Sequence, residues 1–95
     1  MIAVRVHGIL REAVGGSRAV DASGATVSEI LDDLFARYPD LRARATDDGQ
    51  LSRFVNVYVN DRDVRYRDGL ATAVAPGDTV TLLPAMAGGA ANRSE

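Results

Sequence analysis

The sequence predicts an α+β domain: one amphipathic helix packed across one face of a mixed sheet of about five strands. Three observations carry this. Short segments near both ends and in the middle alternate apolar and polar residues, the period of a half-buried strand. The clearest helical spacing of apolar residues lies in one stretch, from Val27 to Tyr38. That helix carries a single apolar stripe, so it needs one sheet face to cover it. At 95 residues, 46% hydrophobic and 25% charged, the chain is sized for one domain with one modest core.

The elements follow in order. Ile2, Val4 and Val6 share one face of a first strand. Gly15-Gly16-Ser17 signals a turn, and Arg18 to Asp21 reads as a second strand closing a hairpin with a long loop. Thr26 and Glu29 have the spacing of a capping box, which would satisfy two free amide donors. Val27, Ile30, Leu31, Leu34, Phe35 and Tyr38 form the helix stripe, and Pro39 ends it. Asp32-Asp33 lies on the solvated side, where neighbouring residues point apart and make no metal pair. Leu41 to Ala45 reads as one further turn, and residues 46–50 as a polar loop. Phe54 to Val59 is the strongest strand, with Val55, Val57 and Val59 inward and Phe54, Asn56 and Tyr58 outward. Asn60-Asp61 turns the chain into a short return strand, Asp63 to Tyr66. Leu70 to Val74 is an apolar link, and Pro76-Gly77-Asp78 a turn. Thr79 to Leu83 is the final strand, with Val80 and Leu82 inward and Thr81 and Leu83 outward; pairing should fade at Pro84, which has no N–H.

Composition narrows the function. There is no cysteine, which excludes disulfides, thiolate metal sites and a cysteine nucleophile. The single histidine, His7, falls on a strand and is expected to be structural. All 11 basic residues are arginine, so no ε-amine is available for an isopeptide bond or a Schiff base. A net charge of -2 argues against nucleic-acid binding. No apolar run approaches the roughly 18 residues of a membrane span, and no signal-peptide pattern opens the chain. The expected location is cytoplasmic, with no membrane partner.

The feature that points to function is Gly88-Gly89, placed just after the last strand in the run Leu83-Pro84-Ala85-Met86-Ala87-Gly88-Gly89. Without Cβ atoms, such a tail can thread a narrow channel and be approached closely at its backbone. The tail itself therefore reads as a substrate, presented carboxyl end first.

The element order, the Gly-Gly tail, and the stretches Phe54 to Asp61, Asp63-Val64-Arg65, Asp68 to Thr72 and Gly77-Asp78 resemble the MoaD/ThiS family of ubiquitin-like sulfur carriers. Within it they look most like the CysO type. The resemblance covers residues 1–89 and implies a β-grasp fold. It divides the chain into a domain over 1–84, a flexible tail over 85–89, and an extension over 90–95 that is either trimmed or foreign to the protein.

The mechanism that the resemblance implies begins at Gly89. Its carboxylate, once exposed, is adenylated with ATP and magnesium by a MoeB/ThiF-like activating enzyme and converted to a thiocarboxylate. The sulfur then passes to a PLP-dependent cysteine synthase or another sulfur-accepting synthase. A zinc metalloprotease serves maturation or product release. The chain binds no cofactor or metal itself and is no enzyme, because it has no P-loop pattern and no lysine. Gly89 is the reacting terminus, with Gly88, Ala87 and Met86 as the threaded tail. Phe54, Tyr58 and Leu83 are expected to form a docking patch on the open sheet face. Three alternatives stay open: the small subunit of a molybdopterin synthase, a ubiquitin-like modifier, and a binding module that only shares the fold. The final sulfur acceptor is not specified by the residues.

Overall fold

The computed structural model describes residues 1–84, so the expected tail over 85–89 and extension over 90–95 lie outside the described residues. Five strands form a mixed sheet in the order β2-β1-β7-β5-β6. They are β1 (Ile2–Val6), β2 (Ala19–Ala22), β5 (Val55–Val59), β6 (Arg62–Asp63) and β7 (Thr79–Pro84). β1 and β7 run parallel at the centre, and the remaining pairs are antiparallel. Helix α1 (Val27–Arg37) crosses one face. This is the β-grasp arrangement that the sequence resemblance implies.

The core follows the two periodicities. Val4, Val6, Val80 and Leu82 from the central strands are fully buried beneath Val27, Ile30 and Leu34 of α1. Val55, Val57 and Val59 complete the inner face. Phe35 and Tyr38, at the margin of the stripe, are only half-buried. Burial of these β-branched and leucine side chains contributes about 1.5–3 kcal/mol each, the main force holding helix to sheet.

Thr26 caps α1 by accepting from the Glu29 N–H at 3.2 Å. The reciprocal bond differs from the expected one: Glu29 Oε1 accepts from the Ala25 N–H at 2.9 Å, one residue before the cap. The cap residue's two neighbours instead anchor the segment Thr72 to Val74, the Val27 N–H donating to Thr72 O and the Val74 N–H to Ala25 O. Gly24 lets this loop lie against the helix. A Cβ there would sit 2.8 Å from the Ile30 nitrogen and 2.9 Å from the Glu29 carbonyl carbon, both backbone atoms that cannot swing aside. Gly24→Ala is therefore expected to cost about 1–3 kcal/mol, read as a lower urea midpoint with an unchanged slope.

Five sequence expectations need correction. The loop of the first hairpin is a 3-10 segment, Gly8–Val14, that buries Leu10, Ala13 and Val14 before Gly15 and Gly16, both at positive φ, turn the chain. Pro39 ends α1 but also opens a second helix, α2 (Pro39–Ala45), in which Leu41 and Ala45 are buried. Proline suits a first helical position, where no N–H partner is needed. The polar loop that follows is a two-stranded ribbon, β3 (Thr46–Asp47) with β4 (Gln50–Leu51). The return strand after Asn60-Asp61 is only β6; the chain turns at Asp63 into a 3-10 segment over Val64–Tyr66. A further 3-10 turn spans Gly69–Ala71. Pairing also persists at Pro84, which stands opposite Val55 at the end of β7; a strand's last residue can lose its N–H without opening the ladder.

Candidate functional site

Register builds the open face of the sheet. Thr81 stands beside Arg5 on one side and Tyr58 on the other, and Leu83 beside Asn56. Tyr58 in turn faces Asp63 of β6. Because side chains alternate, these residues all project away from α1. Leu83 is exposed and Tyr58 half-buried, as expected from the sequence.

Phe54 is placed differently. It precedes β5, in a turn where the Val55 N–H donates to Ser52 O and the Phe54 N–H to Ser52 Oγ. Its ring is 56% exposed, with the Arg53 guanidinium 5.7 Å from the ring centroid. The ring therefore does not pack into the core or under the polar ribbon. Gly88, Gly89, Ala87 and Met86 lie outside the described residues.

The chain reaches this region at Pro84. There β7 lies between the Gly8 turn and the Ser52–Val55 turn: the His7 N–H donates to Leu82 O at 3.2 Å, and a Cβ on Gly8 would stand 2.9 Å from Pro84 Cγ. The structure thus brings Leu83, Tyr58 and Asn56 together on one face, with Phe54 in the turn before their strand.

One cluster on this face was not anticipated. Arg65 Nη2 donates to Asn56 Oδ1 and to Asp63 Oδ2, each at 2.9 Å, and the Arg65 N–H donates to Asp63 Oδ1. The Arg65 side chain and backbone hold the Asp63 carboxyl below its ordinary value of 3.8, against a smaller opposing effect of burial. The only sequence cue was Asp63 two residues before Arg65, the spacing of a side chain that caps its own turn. Asn56 could not be joined to them without the β5–β6 register.

The sign of the pH effect follows. A carboxyl depressed in the folded state adds stability that is present above its unfolded value and is lost as pH falls through the folded one. Asp63→Asn is expected to lower the urea midpoint at pH 7. The gap should narrow as both proteins are taken below pH 3.8. An equal gap at all pH values would show that the effect is packing alone.

Asp78 is depressed in the same direction, by the Ala75 N–H and then by the Asn60 side chain. Its bonds and those of Asn60 tie the turn before β7 to the turn after β5. Among the described residues no group of three or more His, Cys, Asp or Glu is placed to hold a metal ion. No helix there is long and apolar enough to cross a membrane.

Comparison with known proteins agrees on the family. The ThiS family model matches residues 4–89. The sulfur carrier protein CysO of Mycobacterium tuberculosis is 50% identical over 91 residues, covering 93% of this chain and 98% of the relative. Small archaeal modifier protein 3 of Haloferax volcanii is 40% identical over 89 residues, covering 90% of this chain and 96% of that one. Among solved structures, the Amycolatopsis orientalis BexX/CysO complex contains a chain with a TM-score of 0.83 and 49% identity, covering 94% of this chain and 100% of that one. With a family match that runs from β1 to Gly89 and a β-grasp fold shared with CysO, the chain belongs to the ThiS family of ubiquitin-like proteins.

Proposed function

We propose that this protein is a sulfur carrier, and that its reactive group is the carboxylate of Gly89. The observation that carries the reading is that the family match ends on Gly89, the second glycine of the Gly-Gly pair. Identity of 50% to a sulfur carrier protein over nearly that protein's whole length supports it.

The chemistry begins with a poor electrophile. A carboxylate must first become a mixed anhydride. Its oxygen attacks the α-phosphorus of ATP, and pyrophosphate leaves with magnesium neutralising its charge. A sulfur nucleophile then attacks the acyl carbon and displaces AMP, leaving a thiocarboxylate. The partner brings those catalytic groups; this chain brings an acyl terminus and surfaces that orient it. An activating enzyme of the MoeB/ThiF kind fits the first step. A PLP-dependent cysteine synthase fits the sulfur-accepting step. Residues 90–95 must be removed first, which suits a zinc metalloprotease. The open face with Leu83 and Tyr58, together with Phe54 in the turn before β5, is the proposed docking patch for the activating enzyme.

The test is a mass. A form ending at Gly89, incubated with ATP, magnesium, an activating enzyme of this class and a sulfide source, is expected to gain about 16 Da, sulfur replacing oxygen. Formation of the adenylate without that gain would leave the protein an acyl donor and not a sulfur carrier. The 40% identity to a small archaeal modifier protein favours a second reading, in which the activated Gly89 is passed to an amine on another protein. Isopeptide-linked adducts in cell extracts would support that reading.

A further inference from the structure

Two arginines belong to the open face of the sheet, and only one has its charge met within the chain. Register sets them out. One row across the sheet runs Ala19, Arg5, Thr81, Tyr58, Asp63, a residue from each of the five strands. Residues side by side in a row project to the same face. Arg65 joins the row at its far end. Its guanidinium donates to the Asp63 carboxylate and to Asn56 Oδ1, so its charge is cancelled and its direction fixed.

Arg5 differs on each count. It stands on β1, an interior strand with β2 on one side and β7 on the other. Its side chain is exposed. Among the described residues it has no ion pair and no side-chain hydrogen bond. Its neighbours in the row, Ala19 and Thr81, are small, and so are Ala3 and Thr79 in the next row. Asp21 stands opposite Ala3 and therefore diagonal to Arg5, yet the two form no ion pair.

Water serves this guanidinium while the face is bare. A partner that covers the face puts Arg5 inside the contact, because the sheet extends on both sides of it. A cation enclosed there without a countercharge is costly, and one that meets a carboxylate becomes an anchor. The planar fork of arginine bonds both carboxylate oxygens at once. Tyr58 in the same row and Leu83 on the same face supply apolar contact beside it.

We propose that Arg5 is the residue through which the open face selects its partner, and that the activating enzyme docks there with a carboxylate facing Arg5. The inference rests on the reading of this face as the enzyme's docking patch and adds the chemistry of the surface that fits it: apolar opposite Tyr58 and Leu83, acidic opposite Arg5. Arg65 gives no such selectivity, since Asp63 cancels it. Asp21, of the same sign as the partner's carboxylate, weakens docking.

The test measures binding of the full chain and of the form ending at Gly89 to an activating enzyme of the MoeB/ThiF kind, by titration calorimetry at low and high salt. Arg5→Gln is expected to weaken binding about tenfold or more, with a larger loss for Arg5→Glu. Asp21→Asn should tighten it by a smaller factor. Added salt should weaken the unaltered chain more than Arg5→Gln. The paired change Asp63→Asn with Arg65→Gln removes one charge of each sign and should keep the salt dependence of the unaltered chain. Arg5 has no bond within the chain to lose, so the urea midpoint of each variant at position 5 should stay where it is. The proposal is overturned if Arg5→Gln binds as the unaltered chain does, or if Arg5→Glu binds more tightly. It is overturned too if the salt dependence follows Arg65 instead of Arg5, or if neither form of the chain binds. Arg5-dependent binding with no ATP–pyrophosphate exchange by the form ending at Gly89 would support this proposal and sink the Gly89 reading.

Discussion

Leu34→Ala is expected to remove about 3 kcal/mol of stability and lower the melting temperature by roughly 12–24 °C for a domain of this size. Leu34 is fully buried at the centre of the α1 stripe. Fully buried Ile30, Val4, Val80 and Leu82 share its core. Truncation loses the transfer energy of the removed carbons. It also leaves a cavity between a helix and a sheet that are each held elsewhere: α1 by Thr26 and the Thr72 loop, the strands by their ladders. Neither can move in to fill it. Total stability of such domains is about 5–15 kcal/mol, so this one change removes a large share. Phe54→Ala provides the contrast. Its ring is 56% exposed and its turn is held by Ser52, so its midpoint should barely move. A large loss at Phe54 would place the ring in a core it does not occupy here.

The second large effect concerns the tail. A form ending at Gly89 is expected to support ATP–pyrophosphate exchange with an activating enzyme. The form that continues through Ala90 to Glu95 should exchange at least about 100-fold more slowly, the scale of loss when a reacting group is misplaced. In the longer form the Gly89 carbonyl is an amide, and an amide oxygen cannot replace a carboxylate as the attacking group. The terminal carboxylate then belongs to Glu95, behind side chains that a channel shaped for two glycines excludes. Adding Phe54→Ala or Tyr58→Ala to the shorter form should raise the concentration needed for half-maximal exchange while leaving the fold intact, if the open face is where the enzyme docks. Equal exchange by the long and short forms would sink the proposal that Gly89 must be exposed.

The sequence by itself determined α1, β1, β5 and β7, and the inward placement of Val55, Val57, Val59, Val80 and Leu82. Each rests on a local period or a local cap that no distant contact overrides. It also determined the family, through the Gly-Gly pair in its setting after the last strand, which the match over residues 4–89 shows. Part of the rest was legible but weak. Ile9, Leu10, Ala13 and Val14 have helical spacing, yet the segment is too short to declare itself against a loop; burial of Leu10 and Val14 against the body makes it a 3-10 turn. Only the tertiary structure decided how far β6 extends, where Phe54 points, and that Arg65 joins Asp63 to Asn56. Such features depend on which strands lie side by side and in what register. That is settled by burial between segments far apart in the chain, and a reading of neighbouring residues cannot reach it.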